Sequence, residues 1–177
     1  MPQDLVLTII ARDRPGLIKL LSEAIAMHGG NWVDSSMARL AGEFAGILRI
    51  AVPNENVAAL ESALGGLGDA GIWVTIRKGH ENKMHVGRRV RLEMTGVDHP
   101  GIIHEISAVL ANMDISIDAL DSRVFAGSMS GEAMFEARAD IILPEGLDEG
   151  QLRETLEDIT SELMVEVTLE PVPAITG

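Results

Sequence analysis

The chain repeats itself, and that constrains its fold more than any other feature. ARDRPGLIKLLSEAIA, beginning at Ala11, aligns with GVDHPGIIHEISAVLA, beginning at Gly96, 85 residues later. A repeat of this length reports one structural unit built twice. The offset pairs Asp13 with Asp98, Pro15 with Pro100, Gly16 with Gly101 and Ser22 with Ser107. Upstream it pairs the alternating residues Leu5, Leu7 and Ile9 with Val90, Leu92 and Met94. Each copy thus begins with a strand of period two and passes into a helix of period near 3.6.

The helical stripes correspond: Ile18, Leu21, Ile25 and His28 match Ile103, Ile106, Leu110 and Met113. After an insertion around Gly127 to Gly131, Phe44, Ile50 and Pro53 pair with Phe135, Ile141 and Pro144. A second helix follows in each half, with Leu60, Leu64 and Leu67 against Leu152, Leu156 and Ile159. A last strand closes each copy, Ile72, Val74 and Ile76 against Leu163, Val165 and Val167. The order is strand, helix, strand, strand, helix, strand. The expected class is α+β: two ferredoxin-like βαββαβ domains, each a four-stranded antiparallel sheet with two helices on one face. The expected boundaries are 1–77 and 87–177, joined by a linker at 78–86 (KGHENKMHV within 78–86) that lacks sustained periodicity. The segment AGSMSGE, 126–132, reads as a hairpin loop between the second and third strands of the second copy.

Composition narrows the function classes. At 46% hydrophobic but only 3% aromatic, the core must be aliphatic. No apolar run approaches the roughly 20 residues of a membrane-spanning helix, and MPQDLVLTII lacks a basic n-region. A cytoplasmic protein with no membrane association is expected. The absence of cysteine excludes disulfides, thiolate metal sites and a cysteine nucleophile. A formal charge of −13 argues against direct nucleic-acid binding, which needs Lys and Arg to neutralise phosphates. Six of the fourteen basic residues lie between Arg77 and Arg91, a stretch read as a solvated linker or a docking site for an acidic partner.

No catalytic constellation is visible. G-x-S-x-G, H-E-x-x-H, P-loop and G-x-G-x-x-G patterns are all missing, so no catalytic residue, cofactor or enzyme activity is expected. His99 and His104 are five residues apart, not the four of a two-histidine helical metal site, and His80 and His85 fall in the linker. No metal site is expected. The acidic run from Glu145 to Glu162 reads as a solvated helix face.

The turn at the first strand–helix junction admits two readings. A helix N-terminus leaves backbone N–H donors unpaired and adds partial positive charge, so a carboxylate ligand suits it. Gly16 and Gly101 would let such a ligand approach closely. Alternatively Asp13 and Asp98 cap the helices, with Pro15 and Pro100 in the first turn.

With D-R-P-G at Asp13 to Gly16 and D-H-P-G at Asp98 to Gly101 placed in a βαββαβ order, the chain resembles the ACT domain family. Two such units without an enzyme domain resemble the glycine cleavage system transcriptional repressor family. The resemblance implies an amino acid or similar small effector bound at an interface between ACT units. It assigns ligand contacts to Asp13, Arg14, Pro15, Gly16 and Leu17, and to Asp98, His99, Pro100, Gly101 and Ile102. It also implies control of glycine-cleavage genes through a DNA-binding transcriptional activator, and a homo-oligomer. In the family a Gly-x-Asn near the second strand helps to complete the site; Asn31 satisfies it, whereas Asp114, Ile115 and Ser116 depart from it. The first copy is therefore expected to bind better.

Registering the repeats also assigns outward sheet positions. In the second copy these are Arg91, Glu93, Thr95, Glu136, Arg138, Asp140 and Glu166, the polar face of a half-solvated sheet. In the first they are Val6, Thr8, Ile10, Ala45, Ile47, Arg49 and Trp73 or Thr75, which is largely apolar. Such a face marks an interaction surface, with Val6, Ile10, Ile47 and Trp73 as interface residues. The competing function is accordingly a ligand-free protein–protein assembly module.

Overall fold

Alternating aliphatic residues in Pro2–Arg12 put Leu5, Leu7, Ile9 and Ala11 on one face, and that face is buried. In the computed structural model, which describes residues 1–79, 86–129 and 131–172, this strand (β1) is central to the first of two sheets. It is followed by helix α1 (Leu17–Met27), strands β2 (Asn31–Leu40) and β3 (Glu43–Pro53), helix α2 (Val57–Gly66) and strand β4 (Ile72–Lys78). The strand order is β2-β3-β1-β4, and every pairing is antiparallel. The second half repeats this as β5 (Arg88–Val97), α3 (Ile102–Asn112), β6 (Ser116–Ala126), β7 (Ala133–Leu143), α4 (Glu149–Leu163) and β8 (Val165–Pro171), in the order β6-β7-β5-β8. The architecture is two ferredoxin-like βαββαβ units.

The chain divides into compact units Met1–Lys83 and Met84–Gly177. Most of the expected linker, with His80 and His85, lies outside the described residues, as does Ser130 of the 126–132 loop. Each unit has its own aliphatic core. Leu5, Leu7, Leu21, Ile25, Leu48, Ile50, Leu60 and Leu64 fill the first; Leu92, Ile106, Leu110, Ile141, Leu152 and Leu156 fill the second. Each fully buried side chain of this size is worth about 1.5–3 kcal/mol relative to exposure, so the sheet–helix seam of each unit is what holds it together.

Two registers differ from the sequence reading. The buried stripe of α1 is Leu17, Leu21 and Ile25, spaced by four, while Ile18 is exposed. The helix starts only after Gly16, which rotates Leu17 rather than Ile18 toward the sheet. The last strand of the second unit also sits two residues later than expected. Val165, Val167 and Leu169 occupy the places of Ile72, Val74 and Ile76, because Val165 pairs with Gly96 as Ile72 pairs with Ala11. Leu163 is instead the last residue of α4, which Met164 ends in the left-handed conformation.

The loop after α1 is explained by its caps. Gly29 donates its N–H to the Ala26 carbonyl and Gly30 to that of Ile25, the paired bonds of a Schellman C-cap. Gly29 has φ 69. Asp114 holds the same left-handed place at φ 55, donating to Ala111 while Ile115 donates to Leu110. The Gly-to-Asp difference between copies is thus a helix-terminus difference.

Candidate functional site

Both D-x-P-G turns run from a central strand into a helix by the same route. Gly16 has φ 90 and Gly101 φ 100, both left-handed, and each is the N-cap residue of its helix. A side chain there would be strained by roughly 1–2 kcal/mol, although a Cβ would meet nothing within 4 Å at either position. Backbone conformation demands glycine, and the space beside it is open.

Neither helix start carries a side-chain cap. This overturns the capping role considered for Asp13 and Asp98. Asp13 instead bonds Arg39 at 2.9 Å across to β2, and its backbone N–H meets the Gly42 carbonyl at the tip of the β2–β3 hairpin. Asp98 is exposed, and its N–H meets the Ala133 carbonyl. The chain does build a full cap elsewhere. At α4 the Asp148 carboxylate accepts from the Gln151 N–H at 2.9 Å while the Gln151 side chain accepts from the Asp148 N–H at 3.1 Å. At α1 the first carbonyl-bonded amide is that of Leu20, to Gly16; the amides of Leu17, Ile18 and Lys19 are the unpaired donors every helix start leaves. No acidic residue lies in that first turn, whereas Glu105 does in α3.

The variable residue of each turn reaches the backbone just before the last strand of its unit. Arg14 donates from Nη2 to the Ala70 carbonyl. His99 places Nε2 2.8 Å from the Leu163 carbonyl and Nδ1 3.1 Å from that of Pro100. Only the imidazolium donates from both nitrogens, so the backbone bond to Leu163, and then that to Pro100, raises the His99 pKa above the ordinary histidine value. The C-terminus of α4, where Leu163 sits, favours a cation as well. A raised folded-state pKa makes the contribution to stability full below the unfolded-state value and lost as pH climbs through the folded-state one. The NMR titration of His99 is expected to have a midpoint above the ordinary range, and His99→Ala to remove that component of pH-dependent stability. An unshifted midpoint would mean that the two carbonyl bonds do not form in solution.

In the first unit the turn opens onto a cavity of ≈ 540 Å³ lined by Asp13, Arg14, Gly16, Leu17, Ile18, Lys19, Met37, Ala38, Arg39 and Phe44. Sequence reading missed Ile18, Lys19, Met37, Ala38, Arg39 and Phe44 as site residues. The signal for Met37, Ala38, Arg39 and Phe44 is the hairpin register, since Arg12 pairs with Glu43 and Leu40 with Glu43 as well, which brings the β2–β3 tip to the turn; Ile18 and Lys19 lie in the first turn of α1, directly after Gly16. Leu17 and Ile102 are core side chains, 6% and 3% exposed, so only their backbone can face a ligand. Asn31 is not brought to the turn of its own unit. It pairs with Ala51, opposite Asp4 at the start of β1, whereas the turn follows the end of that strand at Arg12. In the second unit a concavity of ≈ 260 Å³ lies on the outer sheet face beside Glu93, Asp121, Arg123, Glu136 and Arg138, away from its turn. No group of three or more His, Asp or Glu among the described residues is placed to hold a metal ion.

The family model of the ACT domain matches residues 3–70. The first unit is an ACT domain. The second repeats its element and strand order, so the chain is a tandem of the ACT fold. A protein of unknown function from Galdieria sulphuraria, solved as a crystal structure, is 26% identical over 98% of this chain and 100% of its own, with a TM-score of 0.83. A protein described as a "putative glycine cleavage system transcriptional repressor" is 21% identical over 97% of this chain and 98% of its own, with a TM-score of 0.72, and so shares the tandem ACT fold. No curated protein matches the sequence. No helix among the described residues is long and apolar enough to cross a membrane.

Proposed function

We propose that this chain is a non-catalytic regulatory protein that binds a small effector, an amino acid, at its D-x-P-G turns. The observation that carries the reading is that α1 and α3 open on left-handed glycines with free space and no side-chain cap, while α4 is fully capped. An effector carboxylate would accept from the exposed amides of the helix start and gain from the dipole there. In the first unit the cavity beside Gly16, with Lys19 and Arg39 on its wall, suits the rest of such a molecule. Asp13, Arg14, Pro15, Gly16 and Leu17 form this site; Asp98, His99, Pro100, Gly101 and Ile102 form its counterpart. Because Asn31 stands at the opposite end of its sheet, it would contribute to a ligand only from another copy of the fold.

The signal would pass to a protein partner; the resemblance to the glycine cleavage repressor family implies a DNA-binding transcriptional activator of glycine-cleavage genes in that place. The net charge of −13 supports action through protein rather than on DNA. A cytoplasmic homo-oligomer fits this role. An effector can shift such a complex only by binding two arrangements with different affinity.

Thermal shift against the twenty amino acids tests the reading. A ligand at a hundred times its Kd stabilises by about 2.7 kcal/mol, so at least one amino acid is expected to raise the melting temperature. Gly16→Val is expected to abolish more of that gain than Gly101→Val. A flat panel would favour the ligand-free assembly module, which the apolar outer face of the first sheet supports.

A further inference from the structure

The outer face of the first sheet is apolar where a water-facing sheet should be polar, and the same chain supplies the comparison. Cross-strand register arranges that face in rows running β2, β3, β1, β4. One row is Ala38, Ala45, Ile10, Trp73; the next is Ser36, Ile47, Thr8, Thr75; the third is Asp34, Arg49, Val6, Arg77. Ile10, Ile47 and Trp73 are 50%, 55% and 57% exposed. The corresponding rows of the second sheet are Arg123, Glu136, Thr95, Glu166; then Asp121, Arg138, Glu93, Thr168; then Ala119, Asp140, Arg91, Glu170. There the charges answer one another: Arg91 with Asp140 at 2.8 Å, Arg138 with Glu93 at 2.9 Å, Arg123 with Glu136 at 2.6 Å. On the first face no ion pair among the described residues includes Asp34, Arg49 or Arg77. Asp34 and Arg77 stand on opposite edge strands, three strand spacings or about 14 Å apart, beyond reach within one sheet.

We propose that this face packs against the same face of a second copy of the chain, about a two-fold axis that runs along the strands between β3 and β1. Aligned face-to-face packing of two sheets at about 30° is a standard arrangement, and a two-fold contact makes every pairing reciprocal. This axis keeps each row in place and exchanges β2 with β4 and β3 with β1. Trp73 then lies over the partner's Ala38, Ile10 over the partner's Ala45, and Ile47 over the partner's Thr8. Large side chains meet small ones in every apolar pair, as interdigitation requires. In the third row Arg77 meets the partner's Asp34, twice, so two of the three unpaired charges find opposite partners. Arg49 lies over the partner's Val6, one row from the partner's Asp4. The alternative axis, across the strands, would set Arg77 against the partner's Trp73 and leave Asp34 unanswered.

Sedimentation equilibrium of the full chain tests this, with circular dichroism confirming that each variant folds. The native chain is expected to give the mass of a dimer or a multiple of it. Ile47→Asp, on an exposed position that leaves the core untouched, is expected to halve that mass. Asp34→Arg and Arg77→Asp are each expected to weaken association at least tenfold, and the double variant to restore it. A native chain of monomer mass, an Ile47→Asp chain of unchanged mass, or a double variant no tighter than the single ones would overturn the proposal. None of these readouts involves an amino-acid effector, so they stand or fall apart from the sensing site.

Discussion

Leu7→Ala is expected to destabilise the first unit by about 2–5 kcal/mol, the usual cost of removing a buried leucine and leaving a cavity. Leu7 is fully buried on the central strand, paired with Leu48 on one side and Ile76 on the other, so neither backbone can collapse into the gap. Its core neighbours all belong to residues 5–76, whereas the second core draws on 90–169. Hydrogen exchange resolved by segment is the suitable measurement, because a single melting temperature is not well defined for a two-unit chain. Protection should fall across β1, β3 and β4 and hold in β5 and β7. Loss of protection in both units to the same degree would contradict two independent cores.

Gly46→Val is the second large effect. Gly46 lies in β3 opposite Met37, and a Cβ built there would come within 2.4 Å of the Ser36 carbonyl oxygen and 2.7 Å of the Met37 Cα. Those are backbone atoms, so relief requires β2 to move. Overpacking of this kind costs typically about 1–3 kcal/mol. The consequence reaches the candidate site, because Met37, Ala38 and Arg39 of that strand wall the cavity at the Asp13–Gly16 turn. Exchange should rise selectively in β2, and any effector bound at the first turn should lose affinity. At the equivalent place in the second sheet Ala137 pairs with Ser122 and is buried, so Ala137→Gly is expected to be mild. Equal protection of β2 in the native and Gly46→Val chains would show that the strand accommodates the side chain.

Much of the architecture could be read before any coordinates because the repeat supplied every element twice. Alternation in Leu5, Leu7 and Ile9, and the leucine spacing of α2 and α4, are local patterns that need no partner to be recognised. The contrast between the two outer faces followed in the same way, since strand periodicity places every second residue on one side. The misreadings have local physical causes. The left-handed glycine before each first helix delays its start, moving the buried stripe from Ile18 to Leu17. Met164 ends α4 with a positive φ that its residue type does not announce. Asp13 has the composition of a cap, yet its carboxylate is drawn across the sheet to Arg39.

Residue types and their order suffice for the βαββαβ pattern, the aliphatic cores and the apolar sheet face, because each arises from periodicity within a single segment. Folding in three dimensions was needed to tell which groups meet at the turn. Met37, Arg39 and Phe44 are more than twenty residues from Asp13 and arrive there through the β1–β3 and β2–β3 registers. The same registers carry Asn31 to the other end of the sheet, which a motif read along the chain cannot convey. Hydrogen-bonded pairing between distant strands sets these distances, and a one-residue slip would send every side chain to the opposite face.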